Sequence, residues 1–422
     1  MHGAERTQLP DRQITSKMDC HADLYKKDFG QTQDIEILLI AQCRRFIAAT
    51  RTTISGCAGD QAKPLLERGA TAGNEPMDHQ PPTLDAYLGG AASSTLQGDA
   101  LAKVISGLAK AAVELANLIA AGPLAGIDGR ASGTNSGGDT QIDLDIAANA
   151  LMCRALHNTP VAAIVSEEAE LPEILDSEAA FCVAIDPLDG SANLANNIST
   201  GTIFSIRPRM RDALSAFFEP GTTQLAAGCF IYGPQTMLVL ALHHSVEVFL
   251  LDRARGEFIL IRRKVRIPAH SAEFAINMSN RRHWNGAVQA FIEQCLLGAT
   301  GEHGEDFNMR WIGSLVAETY RILVRGGVFL YPADARRGYR EGRLRLLYEA
   351  HPIALIMEWA GGAASTGRDR ILELSARMPH QRTPLIMGSA RAVRDLDLMH
   401  LRVQPLFESS DAPLFARRGL FL

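Results

Sequence analysis

The sequence lacks the features that mark secreted, membrane and nucleic-acid-binding proteins. Its seven cysteines in 422 residues are scattered without a C-x-x-C pair, which argues against a zinc ribbon or disulfide framework and indicates a reducing compartment. A net charge of −5 and a pI near 6.2 leave no excess of basic charge for nucleic acid or an anionic membrane. No apolar run is long enough to span a bilayer, and no secretory signal is evident. These absences predict a cytoplasmic protein that binds neither nucleic acid nor membrane.

What is present suits a soluble protein with a substantial core, since 46% of residues are hydrophobic and 21% are charged. The first part of the chain is polar and weakly periodic, so we expect residues 1–82 to be an N-terminal extension, either disordered or upstream of a true start near Met77. The rest divides into an N-terminal half over 83–268, a C-terminal half over 269–404 and a tail over 405–422.

The pattern of predicted elements indicates a layered α+β fold. Helical spacing of apolar residues predicts a helix over Asp99–Gly122 with Asp99 as its N-cap. A loop rich in glycine, serine and asparagine follows at Gly129–Asp139. The runs VAAIVSEE and FCVAIDPLDGS then predict two strands that end on acids, and shorter alternating strands follow. Helical patterns return in WNGAVQAFIEQCL, WIGSLVAETYRILV and PIALIMEWAGG.

Acidic residues fall where predicted strands end or predicted helices begin. They are Asp139, Asp145, Glu167, Glu168, Asp186, Asp189 and Glu349. Open sheets gather ligands at the carboxyl ends of their strands. Mg²⁺ is commonly shared between protein carboxylates and a substrate phosphate. A single acid of this set would usually be a helix cap or a solvated strand end, but the whole set together predicts a metal site.

The stretch DPLDGS carries most of this prediction, because two like charges on a rigid turn are costly without a cation between them. Pro187 stiffens the turn so that Asp186, the Leu188 carbonyl and Asp189 face inward. Gly190 permits close backbone approach, and the following serine suits a helix N-terminus that holds phosphate. The stretch therefore predicts metal and phosphate binding side by side.

Several motifs together resemble class I fructose-1,6-bisphosphatase over roughly Thr83–Met399. In order they are SEEAE, IDPLDGSANL, GTIFSI, AINMSN, RWIGSLVAE, GGVFLYPA, LRLLYEAHPIALIMEWAGG and HQRTPLIMGS. The family belongs to the Mg²⁺-dependent, lithium-sensitive sugar and inositol phosphatases. The resemblance implies an αβαβα arrangement of layers with two mixed sheets, and a homotetramer.

The resemblance also implies roles for individual residues. The implied metal ligands are Glu167, Asp186, the Leu188 carbonyl, Asp189 and Glu349, with Asp139 as a further ligand from the loop. Glu168 and Asp145 resemble the pair that orients and deprotonates the attacking water. The phosphate to be cleaved would lie on the turn formed by Asp189, Gly190, Ser191 and Ala192. The second phosphate and the sugar would be held by Asn277, Arg310, Tyr331 and Arg343, with Arg310 reaching across from a neighbouring subunit.

The sequence departs from the family pattern in the substrate pocket and the effector site. Trp311 replaces a common tyrosine, and Arg343 replaces a common lysine. Ala180 and Phe181 stand where a Lys-Tyr pair often binds AMP, and Pro208 replaces another basic residue. We therefore do not expect inhibition by AMP.

With the acidic residues, the resemblance implies hydrolysis of the 1-phosphate of fructose 1,6-bisphosphate with two or three Mg²⁺ ions, for which Mn²⁺ is an acceptable substitute. The reaction belongs to gluconeogenesis or the Calvin cycle. The changed pocket leaves sedoheptulose 1,7-bisphosphate open as an equal or preferred substrate. An inositol monophosphatase has less support, because a substrate with one phosphate gives no reason for the Arg310 and Arg343 set. A non-catalytic phosphosugar sensor is the remote alternative, and it conflicts with the presence of both Glu168 and Asp145.

Overall fold

The computed structural model describes residues 81–91, 96–125, 131–134 and 140–402. These residues belong to one compact unit, which extends over Thr71–Leu422. The predicted extension lies outside the described residues except for its last two positions, and so do the predicted tail and Asp139. The division of the chain into extension, two halves and tail therefore stays a prediction.

The described residues form helices and strands in mixed order. The helices are α1 (Leu84–Ala91), α2 (Leu96–Ala121), α3 (Asp143–Leu156), α4 (Gly286–Leu297), α5 (Leu315–Arg325), α6 (His351–Trp359) and α7 (Ala390–Arg402). The strands of the first half are β1 (Ala131–Thr134), β2 (Thr140–Ile142), β3 (Val161–Ser166), β4 (Glu173–Ile174), β5 (Phe181–Asp189), β6 (Thr200–Pro208), β7 (Ala226–Tyr232), β8 (Thr236–Leu242), β9 (Ser245–Asp252) and β10 (Glu257–Arg262). Those of the second half are β11 (Glu273–Ala275), β12 (Asn308–Met309), β13 (Val328–Tyr331), β14 (Leu344–Arg345), β15 (Gly362–Ser365), β16 (Arg382–Thr383) and β17 (Leu385–Ser389).

Two mixed sheets form the framework, as predicted. The larger has eight strands in the order β10-β9-β8-β7-β6-β5-β3-β4, and β3 and β5 are its parallel pair. The smaller has five strands in the order β12-β11-β13-β17-β15, with parallel pairing at β11. All nine residues of β5 are buried, so this strand is covered on both faces of the larger sheet.

Three apolar clusters lie between the layers and pack them together. The first joins α1, α2 and α3 to one face of the larger sheet, where Val183 lies. The second joins the other face of that sheet to α5, α6 and one face of the smaller sheet, and includes Ile356 and Met387. The third covers the remaining face of the smaller sheet with α4 and α7, and includes Phe291 and Leu330. This order of layers is αβαβα, which confirms the predicted fold.

Helix α2 departs from the sequence prediction in two respects. It begins at Leu96, before the predicted N-cap Asp99. By length and composition alone, the helical stretch Gln97–Ala125 could cross a membrane, with a mean hydropathy of 1.5 over an 18-residue window, so the prediction that no run reaches this length was wrong. Its apolar side chains, such as Leu108, are buried at helical spacing while Lys103 and Lys110 are exposed. This is the pattern of a helix that packs one face against a core.

The predicted glycine-rich loop also contains regular structure. Strand β1 lies within it and pairs antiparallel with β2, with Thr134 opposite Thr140. The prediction of a loop over Gly129–Asp139 is therefore wrong at β1. A backbone rich in glycine and serine has weak strand propensity, and here the pairing with β2 outweighs it.

Close packing between β6 and β7 generates a test of the core. Gly228 lies opposite Phe204, and a Cβ at Gly228 would lie 2.5 Å from the Phe204 ring. We expect Gly228→Ala to lower the free energy of unfolding by about 1–3 kcal/mol, as overpacking of a core does. Gly89→Ala is the matched control, because nothing lies within 4 Å of its Cβ position on exposed α1. Thermal unfolding should show a lower unfolding temperature than the wild type for Gly228→Ala and no fall for Gly89→Ala, and a wild-type unfolding temperature in Gly228→Ala would contradict this packing.

Candidate active site

The acids of DPLDGS lie on a strand with a bulge, and the prediction that they lie on a turn after the strand was wrong. Strand β5 continues to Asp189. Asp186 pairs with Ile203 and Asp189 with Gly201, so three steps along β5 match two steps along β6. Pro187 between them has no N–H for the ladder. The extra residue reverses the alternation of side chains, so both carboxylates face the same side of the sheet.

Asp186, Asp189 and Glu349 form a compact acidic cluster. Each contributes a carboxylate oxygen, and these oxygens all lie within 4.8 Å of one another. Their residues are only 3%, 8% and 7% exposed. Glu349 reaches the cluster from a π-helical turn, Leu346–Ala350, which leads directly into α6. The structure thus brings together acids that are far apart in the sequence.

Backbone amides hold each carboxylate of the acidic cluster in place. The Val316 N–H at the start of α5 donates to Asp189 Oδ2 at 3.3 Å, where the helix N-terminus favours negative charge. The Leu188 N–H donates to Asp186 Oδ1 at 3.1 Å. The Arg345 N–H donates to Glu349 Oε2. The assignment of the Leu188 carbonyl as a metal ligand stays a prediction.

Arg345 is a residue of this site that the sequence analysis missed. It is 2% exposed, and its Nη2 lies 3.6 Å from Glu167 Oε1. It therefore brings a buried positive charge to the acid that closes β3. The available signal was its position four residues before Glu349, within LRLLYE.

Burial and mutual repulsion raise the pKa values of the acidic cluster. Burial raises the pKa of Asp186 well above its usual range, and the charges of Glu167, Asp189 and Glu349 raise it further. Burial and the charges of Glu167 and Asp189 do the same for Glu349. Burial raises the pKa of Asp189 to about 7 despite its bond from Val316. Ionised carboxylates in this position need a cation, and an all-oxygen donor set suits Mg²⁺ or Mn²⁺.

The two predicted water-activating acids, Asp145 and Glu168, are connected to the acidic cluster through Glu167, whose charge acts on Asp145 and on the members of the cluster. Asp145 is 1% exposed in the first turn of α3, and the Ile142 N–H donates to its Oδ2 at 2.7 Å. Burial raises the pKa of Asp145 to about 6, and the charges of Glu168 and Glu167 contribute. Its buried Oδ1 has no hydrogen-bond partner among the described residues. Glu168 follows β3, where its N–H donates to Ser166 Oγ at 3.3 Å.

The segment predicted to hold the cleaved phosphate directly follows Asp189. Gly190 has φ +74°, which a residue with a Cβ adopts only with strain. Ser191 and Ala192 then open a short 3-10 helix, Ser191–Asn196. Asn193 Nδ2 donates to the Gly313 carbonyl at 2.9 Å, which ties this segment to the loop before α5.

The predicted sugar-binding residues lie on segments around the smaller sheet. Tyr331 ends β13, and its ring centroid lies 6.2 Å from that of Trp311. Burial raises the pKa of Tyr331. The positive charge of Arg343 lowers this pKa, whereas the negative charge of Glu349 raises it. Asn277 Oδ1 accepts hydrogen bonds from both the N–H and the hydroxyl of the serine two residues later.

Arg310 is placed differently from the other predicted binding residues. Its side chain is 49% exposed, and its Nε lies 3.5 Å from Glu273 Oε1 in the same chain. Its contribution to a neighbouring subunit stays a prediction. Trp311, the departure from the family pattern, stacks on Phe329 of β13 with ring planes 2° apart. This stacking places the indole beside Tyr331.

Two of the three residues that depart from the family's AMP site, Phe181 and Pro208, are part of the larger sheet. Phe181 is fully buried and pairs with Pro208 across β5 and β6. A side chain packed into the core is not available to a ligand. The expectation that AMP does not inhibit the protein stays a prediction.

Two mixed sheets between helices, with buried acids beside a glycine turn, define the layered class of metal-dependent sugar phosphatases. A model of the "Fructose-1-6-bisphosphatase, N-terminal domain" matches residues 87–263, and one of the "Fructose-1-6-bisphosphatase, C-terminal domain" matches residues 267–401. This chain belongs to the class 1 fructose-1,6-bisphosphatase family.

Individual relatives agree with this membership. The chain is 64% identical to fructose-1,6-bisphosphatase class 1 of Bradyrhizobium sp. (strain ORS 278) over 348 residues, which cover 82% of this chain and 97% of that protein. It is also 64% identical to a class 1 enzyme of Bradyrhizobium sp. (strain BTAi1 / ATCC BAA-1182), over 82% of this chain and 98% of that protein. The holo crystal structure of Leishmania major fructose-1,6-bisphosphatase matches with a TM-score of 0.71 and 32% identity, covering 77% of this chain and all of that one.

The raised pKa values predict how stability depends on pH when a chelator is present. An acid whose folded pKa lies above its unfolded value binds more protons in the folded state, so stability falls as pH rises. The fall should run from about pH 4, near the unfolded values, through about pH 7, where Asp189 titrates when folded. Asp186→Asn should flatten this fall, because it removes one of the repelling charges.

The measurement is the unfolding temperature between pH 5 and pH 8 in the chelator. Asp143→Asn is the matched control, since this acid of α3 is exposed. The control should keep the wild-type slope. An Asp186→Asn profile parallel to that of the wild type would contradict the repulsion within the acidic cluster.

Proposed function

We propose that this protein hydrolyses the 1-phosphate of fructose 1,6-bisphosphate and releases fructose 6-phosphate and phosphate. The observation that carries this proposal is the acidic cluster of Asp186, Asp189 and Glu349, in a chain of the fructose-1,6-bisphosphatase family. Buried acids this close serve no evident structural purpose. They are suited to holding cations against a phosphate.

The residues present fit a Mg²⁺ centre. Its ligands would be Glu167, Asp186, the Leu188 carbonyl, Asp189 and Glu349, with Asp139 as a further ligand. We infer two or three Mg²⁺ ions, or Mn²⁺ in their place, because the acids carry more negative charge than Arg345 balances. Bound ions would neutralise these carboxylates and polarise the phosphate oxygens.

Asp145 and Glu168 are suited to prepare the attacking water. A pKa of about 6 gives Asp145 a base strength close to that required near neutral pH. Its buried Oδ1 has an unused acceptor position within the described part of the chain. Glu168 lies close enough for its charge to raise the pKa of Asp145. The pair would orient a water for in-line attack and take up its proton.

The chain itself positions both ends of the substrate. Backbone N–H groups of Gly190, Ser191 and Ala192, with the Asp189 carboxylate beside them, would hold the phosphate that is cleaved. The second phosphate and the sugar would lie against Asn277, Arg310, Tyr331 and Arg343. An arginine suits phosphate, because its planar fork donates two parallel hydrogen bonds.

The cellular setting follows from the reaction and the composition. We propose a cytoplasmic homotetramer in which Arg310 serves the neighbouring subunit's site, acting in gluconeogenesis or the Calvin cycle. The half-exposed Arg310 side chain leaves it accessible to a partner. Trp311 beside Tyr331 keeps sedoheptulose 1,7-bisphosphate open as a second substrate, because it changes the pocket wall.

Purified protein with Mg²⁺ should release phosphate from fructose 1,6-bisphosphate, and Asp186→Ala should abolish the release because the acidic cluster loses a ligand. A phosphate assay across fructose 1,6-bisphosphate, sedoheptulose 1,7-bisphosphate and inositol monophosphate, reported as kcat/KM, measures the preference. Release undiminished in Asp186→Ala would defeat the metal-site assignment. Binding without turnover in the wild type would instead favour the sensor.

Glu168→Gln and Asp145→Asn test the water-activating pair separately from metal binding. Each should lower kcat by about 10²–10⁴-fold, the usual contribution of general base catalysis. Each should also retain the rise in unfolding temperature that Mg²⁺ produces, because the acidic cluster is intact. Glu170→Gln, at an exposed position two residues after Glu168, is the control and should keep full activity. Loss of the Mg²⁺ effect in both variants would show that these acids bind metal instead.

A further inference from the structure

The loop between β13 and β14 has an ordered course that places Tyr339 in a fixed position. Within it, the Asp334 N–H donates to the Tyr339 carbonyl at 3.1 Å, and the Gly342 N–H donates to the same carbonyl at 3.0 Å. The Tyr339 N–H donates to the Arg336 carbonyl at 3.0 Å. Because three backbone bonds converge on one residue, the loop fixes the Tyr339 backbone.

Tyr339 contacts two arginines, and we call these three residues the Arg336–Tyr339–Arg343 stack. Arg343 Nη1 donates to the Tyr339 hydroxyl at 2.8 Å, and its Cζ lies 4.8 Å from the ring centroid. Arg336 Cζ lies 4.0 Å from the same centroid. Both distances are within the range of a cation–π contact. Tyr339 therefore holds the Arg343 guanidinium by a hydrogen bond to its hydroxyl and by a cation–π contact with its ring.

Arg336 is itself held by an acid of the same loop, Asp334. Its Nε lies 3.0 Å from both carboxylate oxygens of Asp334, whose side chain is 3% exposed. The negative charge of Asp334 balances the positive charge of Arg336. This reduces the repulsion between the two guanidinium groups that contact the Tyr339 ring. The stack is a built arrangement with each positive group assigned a partner.

The stack is also anchored to the segment that carries Asn277. The Ala335 N–H donates to the His283 carbonyl at 3.1 Å, and Trp284 forms a bridge with Asp334. Asn277 caps the 3-10 helix that ends at His283. Tyr339 thus lies where the loop of Arg343 and the segment of Asn277 are joined.

We propose that Tyr339 is a positioning residue that orients Arg343 toward the second phosphate of a sugar bisphosphate. This inference rests on the proposed function. A guanidinium already held at one N–H loses less freedom when it binds phosphate, so preorganisation increases affinity. Tyr339 touches no reacting atom, so its effect is on substrate affinity rather than on the chemical step.

The test compares Tyr339→Ala and Tyr339→Phe with the wild type in the full chain with Mg²⁺. We expect Tyr339→Ala to raise KM for fructose 1,6-bisphosphate about tenfold or more, the effect of losing a hydrogen bond to a charged group, with kcat within about twofold of the wild-type value. Tyr339→Phe keeps the ring and should show a smaller rise. Hydrolysis of p-nitrophenyl phosphate, which has no second phosphate, should not change in either variant.

Arg340→Ala is the matched control, since this arginine is exposed on the same loop, and it should leave KM unchanged. In an Arg343→Ala background, Tyr339→Ala should add nothing, because residues that act as a unit are not additive. Unfolding temperatures check that each variant is folded. If Tyr339→Ala does not fold, the conservative Tyr339→Phe variant still tests the proposal.

The outcomes separate the two proposals. If the wild type is active but the effects of Tyr339→Ala and Arg343→Ala on KM are additive, the positioning role of Tyr339 is overturned and the proposed function is not. Equal losses on both substrates would do the same, because they would indicate a general structural effect. A folded wild type without activity on fructose 1,6-bisphosphate would overturn the proposed function, and this inference with it.

Discussion

Repulsion among three buried carboxylates is the constraint on which the site depends. At the separations found for Asp186, Asp189 and Glu349, unit charges repel strongly in a medium less polar than water. The protein offsets part of this cost with N–H groups from Val316 and Arg345. The pKa values of all three acids remain raised, so the offset is incomplete without a cation.

The partners of these acids come from different layers, and this links the site to the fold. Asp186 and Asp189 lie on the larger sheet, whereas Val316 lies in the first turn of α5 and Glu349 precedes α6 in the middle helical layer. The same layer joins the two sheets through the second apolar cluster. The acidic cluster therefore forms only when the layers are packed, and a cation bound there would stabilise that packing in turn.

The sequence was informative where polar residues interrupt apolar strands. Acids at the ends of β3 and β5 are costly unless they bind something, so their convergence was predictable, and the layered fold followed from the family motifs. The bulge at Pro187 was not predictable, because side-chain alternation depends on how β5 pairs with β6. Arg345 and Tyr339 were missed for a related reason: their partners are set by tertiary contacts and loop closure, which local patterns do not encode.

The acids and the predicted sugar-binding residues differ in how they are supported, and this bears on the proposed substrate choice. The acidic cluster rests on a strand covered on both faces and on helix starts within the core, so its geometry tolerates little change. Asn277, Arg310 and Arg343 rest on short 3-10, edge and loop segments, which accept substitution and changes in length more readily. Hydrolysis can then be retained while the sugar preference shifts. On the proposed function, we therefore expect changes in the loop between β13 and β14 and at Trp311 to alter the preference between fructose and sedoheptulose bisphosphates, because these positions lie apart from the buried carboxylates.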